Sequence, residues 1–294
     1  MIKRLNLESI IDLKNPPLKE GLQTDHFGVD LDKNGILYVL VNSQLYRINI
    51  NSSEQDTRAF HLGEGYGLAR LSKGTAIIGE LKGEPALSIL DGEGNFKFRY
   101  GFNSKEGLDY PEAIATVKDD IFLLNPFGQL FGFSMESEEI DTMDQWLSQF
   151  DFSSRAILSA SSEQNCIYAA DASSYGSKIY RIPVSDLELS SPELIATIFE
   201  REVTSLGQND GYVYYHRTGR GGSNNFEALK ELKLDNNERN FKKERYLSLE
   251  KNGEYFKLDF PSGALSAAQI NGKTFIASVN RDKVLIFSVE YQEQ

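Results

Sequence analysis

The sequence predicts an all-β fold, a six-bladed β-propeller made of four-stranded antiparallel blades. Two observations lead to this fold: a strand–turn–strand unit occurs six times along the 294 residues, and a third strand follows each unit. The units begin at intervals of 39, 46, 43, 48 and 61 residues. Short strands that repeat at such spacings are typical of propeller blades, whose faces are buried by their neighbours.

The first unit shows the pattern most clearly. It reads as a short strand from Phe27 to Leu31, a turn at Asp32-Lys33-Asn34-Gly35, and a second strand of β-branched and aromatic residues from Ile36 to Val41. A polar reversal then leads to a third strand, Leu45 to Ile50. Asn-Gly between two apolar runs is a strong signal for a β-hairpin, so the stretch predicts a β-meander.

The later units repeat this meander with other residues. Their fourth strands carry a weaker pattern than the first three, as expected for an outer edge that is half solvated. The positions equivalent to Phe27 are Tyr66, Glu112, Arg155, Val203 and Ala264. The recurring third strands span residues 87–90, 129–133, 178–182, 228–234 and 284–289.

These units predict one propeller domain over residues 1–294. The last unit has little chain left for a fourth strand, so we expect residues 3–11 to supply it and to close the ring. Closure removes an exposed sheet edge that would otherwise invite aggregation. The approximate blades are 27–62, 66–102, 112–150, 155–200, 203–260 and 264–290 with 3–11.

Two segments depart from the repeat. Residues 136–150 place apolar side chains at helical spacing and predict a short amphipathic helix on the side of the propeller. The fifth unit contains a glycine-rich loop, His216 to Asn225, and an added hairpin, Tyr246 to Leu258, that turns at Asn252-Gly253. The hairpin lacks an inner strand pair of its own, which favours six blades over seven.

The composition predicts an acidic protein of the cytoplasm. The formal net charge is −12, which disfavours a nucleic-acid surface because such surfaces depend on clustered Lys and Arg. No apolar stretch has the length of a signal peptide core or a membrane span. The single cysteine, Cys166, fits a reducing compartment. We therefore expect no nucleic-acid or membrane partner, and the oligomeric state stays open.

The first meander, GVDLDKNGILYVLV, resembles the blades of the six-bladed NHL-repeat, gluconolactonase and strictosidine-synthase-like superfamily. The resemblance extends over nearly the whole chain as a blade pattern. It implies a divalent metal, calcium, held in the channel near the starts of inner strands. Among the matching positions only Glu112 is a plausible oxygen ligand, and the residues themselves predict no cofactor. In the strictosidine-synthase-like members one glutamate is the acid–base group, a role that the resemblance implies for Glu112.

The predicted site lies where the loops entering the inner strands and the loops joining second to third strands surround the channel. The acid–base candidates are Glu112, His26 and His216, the histidines because their ordinary pKa lies near neutral. The ligand-binding candidates are polar or aromatic residues of the same loops and strand starts. They are Asp25, Phe27, Glu64, Tyr66, Tyr110, Asn125, Arg155, Asp171, Arg201, Glu202, Arg217 and Arg220.

Three functions stay open at this point. The first is binding of a small molecule or peptide at the channel face. The second is an enzyme at the same place, a hydrolase, lyase or cyclase in which Glu112 or a histidine moves a proton while Arg155 and Arg217 hold an anionic group. The third is a protein-interaction scaffold that uses the 136–150 helix and the added hairpin.

Overall fold

The structure of the chain is a computed structural model. It describes residues 3–19, 27–52, 54–59, 65–102, 111–125, 127–134, 152, 156–161, 165–173, 176–185, 188–199, 201–209, 212–219, 228–233, 244–246, 248–251, 254–255, 264–280 and 282–291. Over these residues the fold is all β, with no helix. The predicted helix at 136–150 lies outside the described residues.

The described residues form 26 strands. The first thirteen are β1 (Lys3–Asp12), β2 (Phe27–Leu31), β3 (Ile36–Val41), β4 (Gln44–Asn49), β5 (Glu54–Ala59), β6 (Gly65–Leu71), β7 (Gly74–Leu81), β8 (Glu84–Asp91), β9 (Phe96–Gly101), β10 (Ala113–Val117), β11 (Asp120–Leu124), β12 (Leu130–Phe133) and β13 (Ile157–Ser161). The others are β14 (Cys166–Ser173), β15 (Gly176–Ser185), β16 (Glu188–Leu189), β17 (Glu193–Phe199), β18 (Arg201–Asn209), β19 (Tyr212–Gly219), β20 (Ala228–Lys233), β21 (Glu244–Tyr246), β22 (Ser248–Lys251), β23 (Glu254–Tyr255), β24 (Leu265–Ile270), β25 (Lys273–Asn280) and β26 (Lys283–Tyr291).

These strands pair into sheets arranged as a propeller. The sheets are β2 to β5, β6 to β9, β10 to β12, β13 to β17 and β18 to β21, and a last one in the order β24-β25-β26-β1-β22-β23. The innermost strand of each sheet contacts the innermost strands of the two neighbouring sheets, and β24 contacts β2. The six inner strands therefore form a closed ring around a central channel.

The predicted count of six four-stranded blades is wrong. Five sheets have four or more strands, whereas the sheet of β10, β11 and β12 has three. The sequence offered no fourth strand after Phe133, because residues 136–150 carry a helical pattern instead. The described structure thus has five blades of four or more strands, and the three-stranded sheet lies between two of them in the ring.

The predicted closure by the N-terminal strand is confirmed. β1 pairs antiparallel with β26 from Lys3 opposite Tyr291 to Asp12 opposite Lys283. Glu8 strengthens the junction, since its carboxylate accepts a hydrogen bond from Ser288 and lies 2.8 Å from Lys273 Nζ. The hairpin predicted for the fifth blade is instead found beyond this junction, where β22 pairs parallel with β1 and antiparallel with β23. Pairing with β1 was not visible in the local pattern.

The core lies between the faces of neighbouring sheets. β3 is a continuous apolar run because both of its faces are covered. On one face, Val39 belongs to a buried cluster with Ile286 of the last sheet. On the other, Leu40 belongs to a cluster with Leu68 and Ile77 of the second sheet. Each sheet thus depends on both neighbours for its burial.

Candidate functional site

The inner strands enclose a cavity of about 1000 Å³. Its lining comes from these strands and from the turns at residues 32–34, 72–73 and 118 that follow β2, β6 and β10. We call the end of the ring that carries these turns the turn face. Each inner strand also contributes an aliphatic side chain to the wall. These are Val29, Leu68, Ile114, Leu158, Leu206 and Leu265.

The charged side chains around this cavity are mostly cationic. Two carboxylates, Asp30 and Asp32, line it together with five cationic residues. Three of the five are lysines in the turns of three successive sheets, where the sequence reads LDKNG, LSKG and VKDD. The five cationic residues are Lys33, Arg47, Arg70, Lys73 and Lys118. A positive cavity in a protein of net charge −12 is a local reversal of sign.

Arg70 is held by two contacts with the first sheet. Its Nη1 lies 2.5 Å from Asp32 Oδ2, and its guanidinium carbon lies 4.4 Å from the centroid of the Tyr38 ring. Asp32 is itself fixed, since its Oδ1 accepts hydrogen bonds from the backbone N–H groups of Asn34 at 2.9 Å and Ile36 at 2.7 Å. Asp32 therefore balances Arg70, whereas Lys33 in the same turn is exposed.

Asp30 takes part in a series of hydrogen bonds that connects the inner strands β2, β6 and β10. Its Oδ2 accepts a hydrogen bond of 2.9 Å from the backbone N–H of Arg70, whose carbonyl accepts one of 2.5 Å from the Thr116 hydroxyl. Burial raises the pKa of Asp30 to about 6; the positive charge of Arg70 opposes this rise and the negative charge of Asp32 adds to it. Asp30 is thus a carboxyl group that can change its protonation close to neutral pH.

Ionised Asp30 lowers the stability of the folded state. Its folded pKa of about 6 exceeds the value of about 3.9 expected in the unfolded chain, so stability falls as pH rises between these values. We expect Asp30→Asn to increase the free energy of unfolding by about 1–3 kcal/mol at pH 7.5, with a much smaller gain at pH 4. Urea unfolding at both pH values measures this. A gain that is the same at both would contradict the assigned pKa.

Several predicted site residues cannot be placed. Six of them lie outside the described residues, and four more lie on β18 or β19, where the structure describes their backbone but not their side chains. The first group is Asp25, His26, Glu64, Tyr110, Arg155 and Arg220. The second group is Arg201, Glu202, His216 and Arg217. Their roles stay predictions.

The predicted residues with described side chains do not line the cavity. Phe27 and Tyr66 are half-buried and pack against two different core clusters. Glu112 is exposed, and loss of hydration raises its pKa. Asn125 is fully buried and forms a turn, because its Oδ1 accepts the N–H groups of residues 127 and 129. Asp171 is half-buried in β14.

One sequence signal indicates the turn face. A lysine recurs in the first three inner turns, at Lys33, Lys73 and Lys118. The site residues expected from the sequence belong instead to the opposite ends of the inner strands. The pairing of Asp30 with Arg70 depends on the register between two sheets, for which a single sequence gives no signal.

The implied calcium site finds no support in the described residues. Among them, no three His, Cys, Asp or Glu side chains lie together as metal ligands would. Of the described side chains at the equivalent strand starts, Glu112 carries a carboxylate, whereas Phe27 and Tyr66 are aromatic. Calcium needs six or more oxygen ligands, which these described side chains do not supply.

A search for membrane-spanning helices among the described residues finds none of sufficient length and apolarity.

Comparisons with known proteins support the fold. No protein-family model and no curated protein matches the sequence. A Bacteroides thetaiotaomicron protein of unknown function matches with a TM-score of 0.62 and 12% identity over 98% of this chain and 76% of that one. The WD40 domain of Neurospora crassa Pan2 matches with a TM-score of 0.62 and 8% identity, covering 99% and 97% of the two chains.

The calcium-binding protein regucalcin from Agrobacterium tumefaciens is also similar, with a TM-score of 0.59 and 11% identity over 98% of this chain and 97% of that one. Solved structures similar to the chain thus include gluconolactonase-like propellers, as the blade pattern indicated, as well as WD40 propellers. Identities this low show the propeller fold alone, and the fold serves unrelated functions.

Proposed function

We propose that the chain binds a small anionic molecule in the channel, at the turn face. The observation that carries this proposal is the set of three turn lysines, Lys33, Lys73 and Lys118, around one cavity of about 1000 Å³. Clefts of roughly 300–1000 Å³ are typical of small-molecule sites. The candidate residues at the strand starts whose side chains are described, by contrast, do not line this cavity.

The charge pattern supports an anion as the ligand. A protein of net charge −12 repels anions in general, so an anion-binding site needs cationic groups close to the ligand. Lysine ammonium groups interact with phosphate and carboxylate oxygens as compact point charges, and low-dielectric channel walls strengthen the interaction. The walls also limit the ligand to a size that the channel admits.

Calorimetric titration with phosphate and with citrate tests the proposal. The variant Lys33→Gln, Lys73→Gln, Lys118→Asn removes the turn charges; asparagine is chosen at 118 because Lys118 has a φ of 57°, which asparagine tolerates. We expect at least one of the two anions to bind the unmodified protein, and its affinity to fall by about tenfold or more in the variant.

The matched control removes three exposed lysines that do not line the cavity, Lys97, Lys178 and Lys283, each changed to Gln. It has the same net charge as the test variant, so it measures the long-range effect of charge alone. We expect its affinity for the anion to stay within about threefold of the unmodified protein at physiological salt. Equal losses in both variants would contradict a site at the turn face.

A second candidate is an acid–base enzyme that uses the same cavity. The observation that favours it is Asp30, because a carboxyl group with a pKa of about 6 can accept or donate a proton near neutral pH. In this function the turn lysines would hold an anionic substrate while Asp30 moves the proton. Turnover of an anionic ester or lactone that is lost in Asp30→Asn would favour the enzyme over simple binding.

A further inference from the structure

Asp30 is an unusual member of an anion-binding cavity. Asp32 is engaged by Arg70 and by its own turn, and its charge is balanced there. Asp30 accepts the backbone N–H of Arg70 at Oδ2, and within the described residues its Oδ1 accepts no hydrogen bond. A carboxylate oxygen is therefore available on the wall of a cavity whose rim is cationic.

Such an oxygen can distinguish an anion that carries a proton from an anion that carries none. An ionised carboxylate is a hydrogen-bond acceptor only, and it repels an oxyanion that offers it nothing but lone pairs. An oxyanion that still carries a proton can donate that proton to the carboxylate in a short, charge-assisted hydrogen bond. At pH 7.5 inorganic phosphate is mostly hydrogenphosphate, which still carries a proton, whereas sulfate carries none and a phosphate monoester, whose second pKa is about 6, has mostly lost its proton.

We propose that Asp30 makes the cavity selective for inorganic phosphate over sulfate and other oxyanions that have no proton. This inference rests on the proposed function, because it assumes that anions enter the channel past the turn lysines. The lysines supply attraction to any anion, and Asp30 supplies the discrimination. The repulsive element is as important as the attractive one, since specificity is a difference between two affinities.

The surroundings of Asp30 allow this role. The charged group that faces it from β6 is Arg70, and Asp32 follows it in its own hairpin. The side chain packed beside Arg70 from β3 is Tyr38, and β24 contributes the neutral Ser266, whose Oγ accepts the Leu31 N–H at 3.0 Å. Among the described residues, none of these groups donates a hydrogen bond to Asp30 Oδ1. A bound anion can therefore supply that donor.

The test compares phosphate with sulfate by calorimetric titration at equal ionic strength and pH 7.5. In the unmodified protein we expect the affinity for phosphate to be at least about tenfold higher than that for sulfate, because one charge-assisted hydrogen bond contributes a difference of this size. In Asp30→Asn, whose amide can donate to either anion, we expect the ratio to fall below about threefold. Asp12→Asn, at an exposed site on β1, is the matched control and should keep the full ratio.

Acidification provides a second readout that needs no variant. At pH 5 Asp30 is mostly protonated and becomes a donor, so sulfate affinity should rise relative to that of phosphate. Equal binding of the two anions at pH 7.5, or full selectivity in Asp30→Asn, would overturn the assignment while leaving anion binding intact. If neither anion binds at either pH, this inference and the binding of phosphate under the proposed function are both wrong. The titration with citrate is a separate test of the proposed function.

Discussion

Replacing Gly128 with alanine is expected to lower the free energy of unfolding by about 3 kcal/mol or more, or to prevent folding. Gly128 lies in the turn between β11 and β12 at a φ of 80°, and an added Cβ would lie 1.6 Å from the carbonyl oxygen of Phe152. The backbone of Phe152 cannot move away without weakening a hydrogen bond, because its N–H donates one of 3.2 Å to the Gly128 carbonyl.

The variant Gly272→Ala is a control that measures the cost of backbone strain without the steric clash. Gly272 has a φ of 79°, close to that of Gly128, but an added Cβ there would meet no atom within 4 Å. We expect this variant to cost only about 1–2 kcal/mol, the penalty of left-handed backbone for a residue with a Cβ. Urea unfolding measures both, and equal losses would contradict the contact between this turn and Phe152.

Ile11→Ala is expected to cost about 2–5 kcal/mol, whereas Ile10→Ala should cost less than about 0.5 kcal/mol. The two residues are neighbours on β1, but Ile11 is 3% exposed and Ile10 is 53% exposed. Ile11 belongs to a buried cluster that includes residues of the first sheet, such as Val39, and of the last sheet, such as Ile286. Losing its side chain leaves a cavity where the ring closes.

The pair of variants tests the position of the N-terminal strand. Both remove the same atoms from the same strand, so effects on β-propensity and on the unfolded chain are nearly matched. Chemical unfolding monitored by the intrinsic fluorescence of the protein gives both values. A larger loss for Ile10→Ala would mean that β1 presents its other face to the core, and the strand register described for the closure would be wrong.

Most of the strands could be predicted because they carry local signals. The Asp-Lys-Asn-Gly turn between apolar runs marks the first hairpin, and its recurrence locates the other inner strands. The closing role of residues 3–11 followed from a missing outer strand in the last unit. Its confirmation shows that counting strands within each repeat can identify a pairing between residues almost 290 positions apart, such as Lys3 with Tyr291.

The remaining features depend on contacts that leave no mark in a local pattern. β22 is a short strand whose parallel partner, β1, lies more than 200 residues away in sequence. The blade count failed where the repeat gives way to a helical pattern after β12. The expected site residues lie at the strand starts, where function often lies in propellers, but the described cavity has cationic side chains from the opposite turns, including Lys33 and Lys73.

The fold by itself leaves the function open. Its structural relatives include a calcium-binding propeller and a WD40 domain, at identities of 11% and 8%. Function therefore has to be argued from the site. In this site the turn face is cationic, and burial raises the pKa of one carboxyl group, Asp30, to about 6 at a cost in stability. Such a cost is common where a residue serves binding or catalysis.

Anomalous diffraction from crystals soaked in arsenate tests the central claim most directly. Arsenate has the shape and the ionisable protons of phosphate, and its arsenic atom locates the anion without ambiguity. The account predicts one strong peak in the channel, within hydrogen-bonding distance of Asp30 or of the turn lysines Lys33, Lys73 and Lys118. A peak found only at the strand starts, near Glu112, or no peak in the channel at all, would contradict it.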